Sequence, residues 1–309
     1  MKKFWLTTII TGILCILAGL FLSAVLTFGF ADELREHADE FSINEDNFFE
    51  LFENDRFVSV TREGKRYNAS DAKESYYFNV ESTEDITGID FELAVGDVQI
   101  RKGSAMELTV TDMFEDAVSS YVKDGVWYIT DSLLDRGSVH SEYSPEVTIT
   151  LPEDVFFEKV SIYLAAGRMD ADKLAAKDMS LKVEAGSLKV FHLEAEDSLT
   201  LENGAGEIKL YDVDASNLTV NQGVGAIDIT GDITGNNNIR GGVGEIKLSL
   251  TNRERVDFNY KVNGGIGEVK IGDMVLHGDT TNMSFDCDSA DYFEIDCGIG
   301  RVELNVGEH

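Results

Sequence analysis

The sequence predicts an all-β fold, namely a single-stranded β-helix with coils of about 20 residues, preceded by one N-terminal transmembrane helix. Three observations support this prediction. An apolar run, a glycine and a second alternating run recur along residues 84–309. The chain has 28 Gly but only 2 Pro, a ratio that suits tight turns between short strands. A long uncharged segment lies near the N-terminus.

The N-terminal segment has the pattern of a membrane anchor. Lys2 and Lys3 precede an uncharged stretch over residues 4–31, and acidic residues follow from Asp32. A membrane span needs about 20 apolar residues, and basic residues before it favour an N-terminus inside the cell. We therefore expect residues 1–31 to be a signal-anchor that places the protein in the cell membrane as a single-pass protein with an extracytoplasmic body. A cleaved signal peptide is the alternative, although its apolar region is usually about 7–15 residues.

Residues 32–83 form an acidic juxtamembrane stem or linker in this interpretation. Phenylalanines at positions 41, 48, 49 and 52 lie near helical spacing among acidic residues. The acidic character argues against tight binding to anionic lipid. We expect this segment to act as a stem or to pack as a cap on the body.

Eight glycines mark the same place in successive copies of the motif. Five consecutive gaps between them, over residues 167–267, measure 19, 20, 19, 19 and 23 residues. A period of about 20 residues is the signature of a solenoid, in which each coil stacks on the next. The pivotal glycines are Gly96, Gly167, Gly186, Gly206, Gly225, Gly244, Gly267 and Gly300.

Residues around each pivotal glycine alternate as they do in a β-strand. Side chains five residues before the glycine, and two and four residues after it, are apolar in every copy. Side chains two residues apart share one face of a strand. We therefore expect Leu181, Leu201, Val220 and Ile239 to stack as a column in a dry interior. The glycine is expected to take a positive φ where the coils crowd.

The outward positions after the glycine carry charges of both signs, as in Glu207 and Lys209. A solvated sheet face accounts for this pattern, and a binding stripe for a polar polymer is the alternative. An insert at about 106–158 interrupts the period and contains strands of its own. Within it, Asp124 and Gly125 predict a hairpin, and Trp127 is expected to pack against the inserted strands.

The glycine-centred coils, the KDGVWYI hairpin and the VTITLP strand resemble a bacterial adhesin-like domain-of-unknown-function family with β-strand repeats. The resemblance covers residues from about 86 to the C-terminus. It implies a single-stranded β-helix attached to a membrane anchor in a bacterial envelope. The family supplies no catalytic residues.

Composition and motifs limit the function classes. The formal net charge of −31 would repel nucleic acid, so nucleic acid is not an expected partner. The sequence has no HExxH, GxSxG, P-loop or CxxC motif, so we predict no catalytic residue and no cofactor.

We therefore predict a non-catalytic, membrane-anchored interaction or adhesin-like envelope protein. Its predicted partners are the membrane, through the N-terminal helix, and a protein or cell-wall polymer. A polysaccharide-active β-helix enzyme and an accessory protein in envelope-stress sensing are the alternatives. The near-constant spacing of the central coils leaves little room for the long loops from which such enzymes build a cleft.

Two clusters near the C-terminus contain the remaining candidate residues. We expect no metal site, and the only candidate ligands are Asp286, Asp288 and Asp291, which lack the glycine and terminal glutamate of an EF-hand loop. Cys287 and Cys297 flank a predicted turn and form either a disulfide or two buried thiols. Alternation along the strand places Cys297 inward.

Overall fold

The computed structural model describes residues 60–62, 65–67, 74–79, 86–113, 117–131, 145–277 and 283–307. These residues form β-strands joined by turns and irregular segments, and they contain no helix. The fold is therefore all-β over the described residues, as the sequence predicts. The predicted transmembrane helix at 1–31 lies outside them, as does most of the predicted stem.

The strands fall into three groups along the chain. The first group is β1 (Val60–Arg62), β2 (Lys65–Tyr67), β3 (Glu74–Asn79), β4 (Gly88–Gly103), β5 (Glu107–Met113), β6 (Val118–Lys123), β7 (Val126–Asp131) and β8 (Glu146–Pro152). The second group is β9 (Phe157–Ala171), β10 (Leu174–Val190), β11 (Leu193–Ser216), β12 (Leu218–Thr234) and β13 (Asn236–Leu250). The third group is β14 (Asn259–Asn263), β15 (Glu268–Ile271), β16 (Met274–His277), β17 (Met283–Phe285) and β18 (Tyr292–Val306).

Parallel pairing joins the long strands into one β-solenoid-like stack. Its order is β4, β9, β10, β11, β12, β13 and β18, and each of these strands forms one rung. The remaining strands flank the two ends of this stack, except for β1 and β2, which form a separate antiparallel pair. Equivalent places in successive repeats therefore become neighbours in space.

The interior is built from columns of apolar side chains. Leu181 pairs with Leu201, Leu201 with Val220, and Val220 with Ile239, and all four are fully buried. Burying a large aliphatic side chain contributes about 1.5–3 kcal/mol, so the repeated column is a major source of stability. The predicted stacking of these four residues is confirmed.

The pivotal glycines form a column in which only glycine fits. A Cβ built on Gly186 would lie 1.9 Å from the carbonyl oxygen of Gly167, and one built on Gly225 would lie 1.9 Å from that of Gly206. Gly225 also has a φ of 131°, a conformation that side chains disfavour. The predicted positive φ is found at most of the pivots, whereas Gly96 and Gly267 lack it.

The insert after β4 supplies the N-terminal end of the stack. Strand β7 pairs with the first part of β4, and β8 pairs with the second part, so β7 and β8 together form a split rung. The predicted hairpin joins β6 to β7, and both of its turn residues, Asp124 and Gly125, have positive φ. Trp127 is fully buried, and its Nε1 donates a hydrogen bond to Ser120 Oγ at 2.8 Å.

At the C-terminal end, the spatial order differs from the order in sequence. The repeat of Gly267 was expected to follow that of Gly244, but Gly244 pairs with Gly300 of the final strand β18. Strands β14 and β15, which flank Gly267, pair with the other side of β18 and form the end rung. Sequence periodicity cannot reveal this exchange, because both repeats present the same inward pattern to their neighbours.

We expect the glycine column to tolerate no methyl group. Replacing Gly225→Ala should lower the free energy of unfolding by about 3 kcal/mol or more, because the Cβ collides with backbone and φ is positive. The matched control is Gly241→Ala, whose Cβ would meet no atom closer than 3.5 Å and should change stability by less than about 1 kcal/mol. Urea unfolding followed by circular dichroism measures both, and equal losses in the two variants would contradict the steric argument.

Candidate functional site

An outward face follows the glycine column on one side of the stack. We call it the post-glycine face, formed by side chains one, three and five residues after each pivotal glycine. Ion pairs cover much of it, as in Lys209 Nζ to Glu207 Oε1 at 2.6 Å and Arg301 Nε to Glu268 Oε1 at 3.0 Å. The charges of both signs predicted for the outward positions are therefore largely compensated in pairs, each worth little to stability because it is exposed.

One part of the post-glycine face carries exposed aromatic rings. Phe191 is 46% exposed and Tyr211 is 39% exposed, and their rings stack with centroids 5.9 Å apart. Lys189 Nζ lies 4.4 Å from the Phe191 centroid and 5.5 Å from the Tyr211 centroid. These distances are those of a cation–π contact. We call Lys189, Phe191, Lys209 and Tyr211 the aromatic–lysine patch.

Hydrogen-bonding groups border the aromatic–lysine patch. His192 and Asp212 directly follow the two aromatic residues, and His192 Nδ1 lies 2.6 Å from Asp212 Oδ2. Lys209 is held by Glu207, and this hydrogen bond raises the pKa of the lysine. The patch therefore combines two exposed rings with charged donors and acceptors at its margins.

The strand register explains why the patch members meet. Lys189 pairs with Lys209, and Val190 pairs with Leu210, so β10 and β11 run in step up to the turn. Val190 and Leu210 point into the core, and each aromatic residue follows one position later at the corner. Sequence reasoning missed this pair. The available signal was that both aromatics stand five residues after a pivotal glycine.

A second aromatic–cation contact lies before the glycine column. Lys182 Nζ is 5.1 Å from the centroid of Tyr163 in the adjacent rung, and it also pairs with Glu184 at 2.9 Å. Burial, together with the neighbouring Glu184 carboxylate, raises the pKa of Tyr163. This contact lacks a second aromatic ring.

Two buried amides fasten the glycine corner from inside. Asn203 Nδ2 donates to the Gly206 carbonyl oxygen at 3.0 Å, and Gln222 Nε2 donates to that of Gly225 at 2.7 Å. Asn203 is 2% exposed, and its Oδ1 has no hydrogen-bond partner among the described residues. Each amide bonds the carbonyl three residues ahead, so its role is to hold the turn.

The candidate metal ligands Asp286, Asp288 and Asp291 make separate contacts. Asp291 Oδ2 accepts a hydrogen bond from the buried Arg253 guanidinium at 2.5 Å, and its Oδ1 accepts one from the Gly235 amide. Asp286 accepts a hydrogen bond from the Asp288 amide. Within the described ranges, no group of three or more His, Cys, Asp or Glu side chains is placed to hold a metal ion.

Carboxylates crowd around the buried arginine. Burial, followed by the neighbouring Asp214 carboxylate, raises the pKa of Asp232, while Arg253 acts in the opposite direction. One carboxylate oxygen of Asp232 is buried without a hydrogen-bond partner among the described residues. The repulsion between the Asp232 carboxylate and the neighbouring carboxylates is therefore only partly offset by the positive charge of Arg253.

The two candidate cysteines, Cys287 and Cys297, are free thiols in the structure. Cys297 points into the core and is 6% exposed, whereas Cys287 is exposed. Neither alternative drawn from the sequence, a disulfide or two buried thiols, describes this arrangement. The alternation of β18 turns Cys297 inward, and Cys287 belongs to the turn that precedes the strand. Burial raises the pKa of the Cys297 thiol.

A small pocket lies at the N-terminal end of the stack. Its volume is about 10 Å³, and Arg101, Lys102, Pro152, Glu153 and Lys173 are among the residues that line it. A cavity of this size holds about one water molecule. It is too small for a sugar ring or a cofactor.

No helix within the described ranges is long and apolar enough to cross a membrane.

A model of the family described as Toastrack DUF4097 matches residues 86–291. This match spans the stack from before β4 to the residue before β18. No curated protein matches the chain.

Several solved structures resemble the chain at low identity. A "putative cell adhesion protein" from Clostridium sporogenes is 19% identical with a TM-score of 0.36, covering 75% of this chain and 99% of that one. A "putative adhesin" from Bacteroides fragilis is 14% identical with a TM-score of 0.40, covering 75% and 96%. A "putative lipid binding protein" from Parabacteroides distasonis is 13% identical with a TM-score of 0.40, covering 75% and 96%.

Replacing Asp232→Asn should stabilise the protein at neutral pH. The folded-state pKa of Asp232 is raised, so the folded protein favours the protonated carboxyl. The stability that this proton provides is present at low pH and is lost as the pH rises through the folded-state pKa, where the carboxyl ionises. The variant should therefore have a higher urea midpoint at pH 7, and the gain should shrink as the pH falls toward about 4. The control Asp228→Asn removes an outward carboxylate from the same strand and should change stability by less than about 0.5 kcal/mol. A gain that does not depend on pH would contradict the assignment.

Thiol titration should distinguish the two cysteines. The third cysteine of the chain, Cys15, is first replaced by serine. In this Cys15→Ser background, a thiol reagent should react with one group in the folded protein and with two after denaturation, because Cys297 is buried. The added substitution Cys287→Ser should abolish the reaction of the folded protein. Reaction of no thiol before reduction would instead show a disulfide between Cys287 and Cys297.

Proposed function

The chain belongs to the Toastrack DUF4097 family, and on this premise we propose that it is a non-catalytic, adhesin-like interaction protein of the cell envelope, with an extracytoplasmic β-solenoid. In this proposal, residues 1–31 anchor the protein in the membrane. The described β-strands present the binding surface outside the cytoplasm.

The anchoring part of the proposal rests on the sequence. Lys2 and Lys3 stand before an uncharged stretch of membrane-spanning length, and acidic residues stand after it. This charge order favours export of the body. The formal net charge of −31 keeps the exported body soluble and away from anionic headgroups.

The interaction part rests on one observation, the fixed array of side chains on the post-glycine face. Each rung from β9 to β13 is hydrogen-bonded on both sides, so its outward side chains project from a backbone with little freedom. Rigid presentation lowers the entropy cost of binding a partner. The aromatic–lysine patch gives this face the ring and cation chemistry that is enriched at binding hot spots.

The connections between central rungs support binding rather than catalysis. Residues 172–173 join β9 to β10, residues 191–192 join β10 to β11, and single residues make the next two connections. Connections this short build no walls over the outward faces. A surface without walls binds by complementarity, whereas catalysis relies on a site that excludes water.

Cell fractionation tests the proposal. The full chain, expressed in a bacterium with a C-terminal tag, should sediment with membranes and resist alkaline extraction, because a hydrophobic span inserts. Protease added to spheroplasts should degrade the tagged body. A variant lacking residues 1–31 is the control and should be soluble and protected inside the cell. Recovery of the full chain in the cytoplasmic fraction, or protection of its body in spheroplasts, would contradict the proposal.

A further inference from the structure

We propose that the aromatic–lysine patch binds an uncharged saccharide. This inference rests on the proposed function and specifies the partner class for the post-glycine face. It is carried by the stacked Phe191 and Tyr211 rings, by the Lys189 ammonium above them and by the polar groups at the margin.

The patch departs from the pattern of the surrounding surface. The equivalent positions of the neighbouring rungs, also five residues after the pivotal glycine, are polar: Asp172 directly after β9 and Thr230 in β12. Phe191 and Tyr211 instead expose two adjacent aromatic rings on the surface of an acidic protein. Covering the exposed area of the two rings with a partner would be favourable, because apolar surface would be removed from water.

The patch is held in place before any partner arrives. The Phe191 amide donates a hydrogen bond to the Ala171 carbonyl oxygen at 3.0 Å, and Leu210, the residue before Tyr211, is buried in the core. The rings also stack on each other at an interplanar angle of 19°. Binding would therefore immobilise few new side-chain torsions.

The chemistry of the patch matches a sugar ring. One face of a pyranose presents C–H groups that pack on an aromatic ring, and its hydroxyls exchange hydrogen bonds with charged donors and acceptors. Within the described residues, no carboxylate lies within ion-pair distance of Lys189 Nζ, so its N–H groups remain available to hydroxyl oxygens. The His192–Asp212 pair offers both a nitrogen and a carboxylate at the margin.

Net charge decides between neutral and anionic partners. A protein with a formal charge of −31 repels a polyanion at long range, and one lysine without a carboxylate partner does not reverse that field. An uncharged saccharide experiences no such repulsion. Its binding should therefore depend little on salt concentration.

Binding should be measured on the full chain in lipid nanodiscs, free of glycoside detergents that would compete for the patch. The probes are uncharged hexasaccharides of glucose, N-acetylglucosamine and mannose, together with anionic hexagalacturonate. We expect saturable binding of at least one uncharged probe by isothermal titration calorimetry. The double variant Phe191→Thr/Tyr211→Thr should weaken it by about tenfold or more, because the rings supply the contact.

Matched variants separate the patch from general surface effects. Threonine already occupies the equivalent position of the next rung, Thr230, so it is compatible with this place in the repeat. Tyr163→Asn removes the aromatic–cation contact with Lys182 and should leave binding unchanged. Lys189→Gln should weaken binding with both rings kept. If the double variant unfolds, Tyr211→Thr alone and Lys189→Gln provide the same readout.

Several outcomes would overturn the inference. These are no binding of any uncharged probe, equal binding by the double variant, equal weakening by Tyr163→Asn, or binding of hexagalacturonate alone. Membrane association and surface exposure of the chain are measured separately, by the fractionation and protease experiments. A negative result there would overturn the proposed function and not the saccharide inference.

Discussion

Close approach of backbone at the pivotal glycines governs the geometry of the whole stack. In the rung of β11, the Cα of Gly206 lies so near the Gly186 carbonyl that a Cβ would stand 1.9 Å from that oxygen. Because every central rung bends at this contact, the strands before and after the bend keep the same register from one rung to the next. The buried columns and the outward faces both follow from that shared register.

Sequence periodicity was sufficient to predict the columns, because alternation and a constant period determine which side chains point inward. It placed Leu181 and Leu201 correctly, and it identified the turn at Asp124 and Gly125. It could not give the order of the final rungs, since the repeats before Gly267 and Gly300 present equivalent surfaces to the rung of Gly244. Long-range choices of this kind depend on how the connecting segments fold.

The candidate site was harder to predict than the fold for a related reason. Phe191 and Tyr211 are 20 residues apart, and their significance appears only when the rungs bring them to a centroid distance of 5.9 Å. The composition gave no sign of them either, because a chain with this many acidic residues predicts a charged, solvated surface rather than exposed aromatic rings. The buried amide of Asn203 was hidden in the same way, since asparagine in a strand usually indicates an outward position or a turn.

The placement of the final strand limits how the protein can be assembled during synthesis. Strand β18 emerges from the ribosome after all the other described strands, yet it lies between β13 on one side and the pair β14 and β15 on the other. Coil-by-coil growth must therefore halt after β13, and β14 and β15 lack their shared neighbour until β18 has been made. Loss of those residues through early termination would leave a gap within the stack and separate the end rung from the body.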